Sequence, residues 1–155
     1  MTVIVARNIE VCVVRPAPEG LRYLLLQRSE RTTVYPGLWQ IITGTIEQGE
    51  TALAAALREV REETGSAPER FWVVPYTDTY YDHRSDEVNM IPFFAAQLPG
   101  DAPLVLSTEH SRSAWLSCAA AVARLPWPGQ RNGLAIVDHA LTGGSDAPQL
   151  IDVTL

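Results

Sequence analysis

The sequence predicts one α/β or α+β domain in which a mixed β-sheet is sandwiched between helices. Three observations carry that expectation. Runs rich in β-branched and large apolar residues recur at Val3–Val14, Leu21–Gln27, Phe71–Tyr81 and Val88–Leu98. Segments with helical period stand between and after them, so strands and helices alternate in part. The length of 155 residues, with 46% apolar and 19% charged side chains, suits a single folded domain with a substantial core.

The elements follow in order. Val3–Val14 reads as a strand, and the turn at Pro16–Gly20 leads into a second, buried strand at Leu21–Gln27. The polar stretch from Ser29 ends in Tyr35-Pro36-Gly37, which is loop chemistry, and Leu38–Thr43 makes a short strand. Beyond Gly44 and Gly49 the period changes to that of a helix over Thr51–Thr64, stopped by Gly65. Two strands follow, joined by the polar Asp82–Glu87 turn. Ser117–Arg124 is a short helix and Asn132–Leu141 a longer one, closed by Gly143-Gly144.

Charge narrows the function. The chain has 18 acidic residues and 12 basic ones, for a net charge of -6; every basic residue is arginine. Such a domain lacks the basic face that a nucleic acid polymer needs. A phosphate ligand would require a bound divalent cation to cancel the repulsion. Cys12 and Cys118 are far apart, and His83, His110 and His139 are scattered, so neither a zinc site nor a disulfide framework is expected. No apolar run approaches the roughly 20 residues of a membrane span. The N-terminal segment lacks the pattern of a secretory leader, so a cytoplasmic protein without membrane association is expected.

The helix at Thr51–Thr64 carries the chemistry. Glu59, Glu62 and Glu63 fall on one face at i, i+3 and i+4, while Leu53, Leu57 and Val60 take another arc suited to the core. Ala52, Ala55 and Ala56 leave room beside the carboxylates. Arg58 and Arg61 offset part of their mutual repulsion. Hard oxygen donors without His or Cys suit Mg²⁺, with Mn²⁺ as the alternative.

The spacing Gly44, five residues, Glu50, seven residues, then Arg58-Glu59-Val60-Arg61-Glu62-Glu63-Thr64-Gly65 resembles the Nudix box of the Nudix hydrolases, MutT-like proteins, here over residues 44–66. A chance match in this chain has odds on the order of one in ten million at ordinary residue usage. Ser66 departs from the aliphatic residue that usually closes the box; little functional loss is expected. The resemblance implies a Nudix fold whose loop–helix–loop holds divalent cations and hydrolyses a nucleoside diphosphate linked to another moiety. It implies Glu59 and Glu63 as metal ligands, Glu62 as a further ligand or base, and Gly44 at the metal shell. Arg58 would orient a glutamate, and Glu50 would hold the loop or join the metal shell; charge at the helix N-terminus alone also accounts for Glu50.

A narrower resemblance rests on Leu38-Trp39-Gln40-Ile41-Ile42-Thr43-Gly44, Ser107-Thr108-Glu109-His110, Ala114-Trp115-Leu116 and Gln130-Arg131-Asn132. These are similar to the bacterial dihydroneopterin triphosphate pyrophosphatases, also called dATP pyrophosphohydrolases. By position, Glu109 would complete the metal site or act as base. Arg28 would reach the substrate phosphates, with Thr43 beside it and Arg7 as a further candidate; arginine suits this because its planar fork binds phosphate oxygens in pairs. Tyr80, Tyr81 and Trp39 are candidates to stack on a ring, whereas Trp115 and Trp127 read as packing residues. His110 receives no role.

The expected activity is therefore divalent-metal-dependent hydrolysis of a diphosphate bond in a nucleoside or pterin triphosphate, releasing monophosphate and pyrophosphate. The expected partner is a small nucleotide or pterin phosphate, acting on a monomer or homodimer. Two alternatives remain: a Nudix hydrolase for dinucleoside polyphosphates, oxidised nucleotides or nucleotide sugars, and a non-catalytic nucleotide sensor of the same fold.

Overall fold

A computed structural model describes residues 1–155. Its core is a nine-stranded mixed sheet with three helices. The strands are β1 (Val3–Val5), β2 (Asn8–Ala17), β3 (Gly20–Arg28), β4 (Trp39–Gln40), β5 (Ile42–Thr45), β6 (Arg70–Asp82), β7 (Glu87–Gln97), β8 (His110–Leu116) and β9 (Ile151–Val153). The helices are α1 (Ala52–Thr64), α2 (Cys118–Arg124) and α3 (Pro128–Thr142). The main path runs β4-β3-β2-β7-β6-β9, with β1 on β7, β5 on β2 and β8 on β3.

Alternation along β2 builds the sandwich, because successive side chains leave a strand on opposite faces. Ile9, Val11 and Val13 pack with Ala55, Ala56 and Val60 of α1. Cys12 and Val14 pack on the other face with Ala121 of α2 and Leu134 and Val137 of α3. The small alanines of α1 let that helix lie close to the sheet. Gly133 does the same for α3: a methyl group there would overlap the Phe93 ring.

Two features of β2 position the site. It pairs with β3 over Val14–Ala17 but with β5 over Asn8–Val11, so β2 and β3 diverge and the sheet opens at that end. It also pairs in parallel with β7 over Glu10–Val14. β1 uses the same edge of β7, with Val5 opposite Asn89, but Glu10 lies opposite Phe93. Five residues on one strand thus face four on the other.

That extra residue breaks the strand expected over Val3–Val14 into two. The Arg7 carbonyl, within the break, instead accepts the Ile46 amide at 2.8 Å. Three further differences concern ends and edges. β8 pairs with β3 and β9 with β6, although neither was expected as a strand. Helix α3 begins at Pro128 rather than Asn132, since proline is well suited to a first helical turn. No helix is long and apolar enough to cross a membrane.

Candidate active site

The helix α1 starts where Thr51 caps it, its hydroxyl accepting the Ala54 amide at 3.1 Å, and ends where Gly65 turns left-handed at φ 72°. Its C-terminal half projects the three glutamates towards the opened end of the sheet. Arg58 gathers them. Its Nε and Nη2 donate to Glu50 at 3.0 Å each, and its Nη1 donates to Glu59 at 2.7 Å and to Glu62 at 3.2 Å. The Thr45 carbonyl takes a further bond at 2.9 Å. Arg58 therefore ties the lead-in loop to the helix, and its hydrogen bond to Glu50 holds that carboxyl below the usual range.

The carboxylates differ in environment. Glu59 is almost buried and lies against Gly44, where any Cβ would overlap its side chain. Burial pushes its pKa up, and Arg58 only partly offsets this. Glu63 is buried too; desolvation opposes its ionisation, but hydrogen bonds from His110 and Ser107 outweigh it and lower its pKa. Those bonds measure 2.7 Å from Nδ1 and 2.8 Å from Oγ. His110 Nε2 lies 3.1 Å from Gln40 Nε2, so the ring with its proton on Nδ1 satisfies both neighbours. Glu62 is exposed, with 56% of its side-chain surface accessible.

These side chains line a cleft of about 900 Å³, large enough for a nucleotide-sized molecule. Arg28, Thr43, Gly44, Tyr80 and Glu109 line the same cleft, so most of the expected site residues come together from β3, β5, α1, β6 and the loop before β8. Arg28 is held by its Nε bond to the Val34 carbonyl at 2.8 Å. Glu50 stands behind the lining, on Arg58.

Arg7 does not join the group. Its guanidinium forms a two-pronged pair with Glu87 at 2.6 and 2.8 Å on the surface, which leaves it no part in the cleft lining. Trp39 is also elsewhere, beneath the Arg124 guanidinium at 4.9 Å. Trp127, read as packing from sequence, instead stands in the cleft wall with its ring edge-on to Tyr35. Ser66, the departure from the box, donates to the Pro103 carbonyl at 3.0 Å and so ties the end of α1 to the loop between β7 and β8.

Sequence reasoning passed over His110, Glu10, Asp78 and a cleft role for Gln130. His110 was detectable only as a neighbour of Glu109, because its partner Glu63 is 47 residues away.

The family model described as the NUDIX domain matches residues 6–135, most of the chain. The chain belongs to the Nudix family. An octanoyltransferase of Myxococcus xanthus is 35% identical over 133 residues, 81% of this chain, but the match spans only 34% of that protein. A dihydroneopterin triphosphate diphosphatase of Escherichia coli K12 is 33% identical over 129 residues, covering 76% of this chain and 83% of the relative. The solved structure of an E. coli dihydroneopterin triphosphate pyrophosphohydrolase superposes with a TM-score of 0.66 at 29% identity, covering 81% of this chain and 91% of that one. Its family and its likeness to the diphosphatase make the chain a Nudix pyrophosphohydrolase.

Nudix hydrolases generally need a divalent metal, and the donor set suits one. Eight carboxylates and three arginines line the cleft, so a phosphate entering it meets a net negative field. The half-compensated burial of Glu59 calls for the same positive charge. No three acidic or histidine side chains converge as ligands; Glu59 is bound to Arg58 and Glu63 to His110. A cation would therefore take over part of the role that Arg58 fills.

Proposed function

We propose that this protein hydrolyses a nucleoside or pterin triphosphate between its α and β phosphates, releasing a monophosphate and pyrophosphate with Mg²⁺ bound. The observation supporting this most strongly is the one cleft whose lining joins the carboxylate face of α1 to the aromatic side chains of Tyr80, Tyr35 and Trp127. The likeness to the E. coli diphosphatase, which extends over most of both chains, supports the same substrate class.

In this reading Glu59 and Glu63 hold the metal, with Glu62 and the backbone at Gly44 beside them. When bound, the metal supplies charge neutralisation at the phosphate oxygens and a lower pKa for attacking water. Glu62, the exposed carboxylate of the three, bonded to Arg58 alone, takes the proton; Glu109 of the cleft lining offers a second acceptor. Arg28 contacts phosphate oxygens, and Thr43 hydrogen-bonds beside it. Mutation of Arg28 to Ala is expected to raise KM about tenfold with a smaller change in kcat, as loss of uniform binding requires. Steady-state kinetics check this, and an unchanged KM would place the guanidinium outside the binding path.

The deciding experiment is a substrate panel with Mg²⁺, following nucleotide, phosphate and pyrophosphate by chromatography. Dihydroneopterin triphosphate, dGTP, dATP, 8-oxo-dGTP, diadenosine polyphosphates and ADP-ribose belong in it. Monophosphate plus pyrophosphate from a triphosphate, abolished by EDTA, is the expected result. Exclusive cleavage of a dinucleotide or ADP-ribose would overturn the substrate class, and tight binding without turnover would identify a sensor.

A further inference from the structure

β8 enters its pairing with β3 through a bulge. Gln27 lies opposite Arg112 but Arg28 lies opposite His110, which leaves Ser111 as the extra residue of β8. Ser111 and Arg112 are both exposed while His110 is buried, the break in alternation that a bulge produces. Bulges re-aim side chains, and the one turned inward here is an imidazole with only 3% of its surface accessible. The Ser29 amide, donating to the Glu109 carbonyl at 2.9 Å, fastens the chain just ahead of it.

Segments far apart in sequence meet around this ring. Its Nδ1 donates to Glu63 Oε2 at 2.7 Å, and Ser107 Oγ donates to that same oxygen at 2.8 Å. Gln40, buried on β4, sets its amide nitrogen 3.1 Å from His110 Nε2. An amide N–H can only donate, so Nε2 serves as acceptor and the ring proton belongs on Nδ1. The opposite tautomer would turn a lone pair against the carboxylate. Both donors to Glu63 thus reach Oε2. Oε1 makes no hydrogen bond within the protein and, in a residue of the cleft lining, is the oxygen left accessible. The terminal torsion of a glutamate is broad and roughly two-fold, so without such donors its two oxygens could exchange places.

We propose that His110, oriented by Gln40 and assisted by Ser107, is a positioning residue that pins Oε2 of Glu63 and leaves Oε1 as the oxygen offered to a bound cation. The inference rests on the metal role given to Glu63 above and specifies what orients that ligand. Partners of this kind fix a metal-binding side chain, and losing one costs about 10- to 100-fold in metal affinity or activity.

The test compares wild type with His110→Leu, which fills the space without a donor, and His110→Asn, whose amide nitrogen can stand where Nδ1 stood. Gln40→Met is the third variant; it forms no bond to Glu63 and keeps the test open if His110→Leu does not fold. Thermal melts establish which variants are folded. Mn²⁺ binding is followed by electron paramagnetic resonance without substrate. Nitrogen NMR of the metal-free chain, labelled at histidine and kept mildly alkaline, reports which ring nitrogen carries the proton. His110→Leu is expected to weaken Mn²⁺ binding about tenfold or more, His110→Asn to recover most of that loss, and Gln40→Met to fall between them. The Mg²⁺ concentration for half-maximal activity should follow the same order, with KM for the triphosphate nearly constant. The wild-type ring is expected to be protonated on Nδ1, and Gln40→Met to let the proton move to Nε2.

Mn²⁺ affinity unchanged in the folded Leu or Met variant, equal losses in the Leu and Asn variants, or a wild-type ring protonated on Nε2 would each overturn the proposal. Triphosphate cleavage with Mg²⁺ alongside any of these results would leave the hydrolytic reading standing. The expected order of Mn²⁺ affinities in a protein that cleaves no member of the panel would uphold the positioning role and defeat the hydrolytic reading.

Discussion

Glu63→Gln is expected to lower kcat by several orders of magnitude while the protein stays folded. The side chain is 4% exposed and anchored by Ser107 and His110, so an amide of the same shape keeps its place. What it loses is the negative charge, in a region where charge is poorly screened. A metal ligand loses most of its affinity with that charge, and positioning of the attacking water goes with it. Single-turnover kinetics at saturating Mg²⁺, alongside circular dichroism and a thermal melt, separate this from unfolding. Turnover near the wild-type rate would remove Glu63 from the machinery.

The second large effect is expected from Gly44→Ala. The added methyl overlaps the Glu59 side chain, which must swing away from β5. Gly44 pairs with Ile9 inside the sheet, and alanine fits extended backbone there, so the strand itself is retained. A displacement of about 1 Å at a reacting centre costs on the order of a hundredfold in rate. We therefore expect a fall in kcat of that size, together with a higher Mg²⁺ concentration for half-maximal activity. Retention of both values would show that Glu59 works equally well away from Gly44.

The helix that carries these residues was legible because its signals are local. Thr51 caps it, the glutamates repeat at three and four residues, and Gly65 ends it within a few positions. The strands β8 and β9 were illegible for the opposite reason. His-Ser-Arg-Ser-Ala-Trp-Leu becomes a strand by pairing with β3, more than 80 residues earlier in the chain. Ile151–Val153 owes its state to β6 in the same way.

The site divides along the same line. Glu59, Glu62 and Glu63 share one helix face, and periodicity finds them. Glu10 is one polar residue in a run of β-branched ones, and only the divergence of β2 from β3 puts it in the cleft lining. Arg7 misled because an arginine near the start of a strand looks free in sequence, whereas Glu87 is opposite it after folding. Trp127 lies between two prolines that read as a breaker, but they are the approach to α3 and leave its ring at the cleft.

The two cores of the sandwich have a bearing on how such a protein can change. Ile9, Val11 and Val13 support α1 from one face of β2, and Cys12 and Val14 support α2 and α3 from the other. The carboxylate helix is seated on the first core, and the second lies on the opposite face of β2. Descendants of this chain can revise the second layer while the carboxylate helix keeps its footing. An engineer can follow the same division, building libraries at the β6–β7 hairpin and the start of α3 with the residues of α1 held constant.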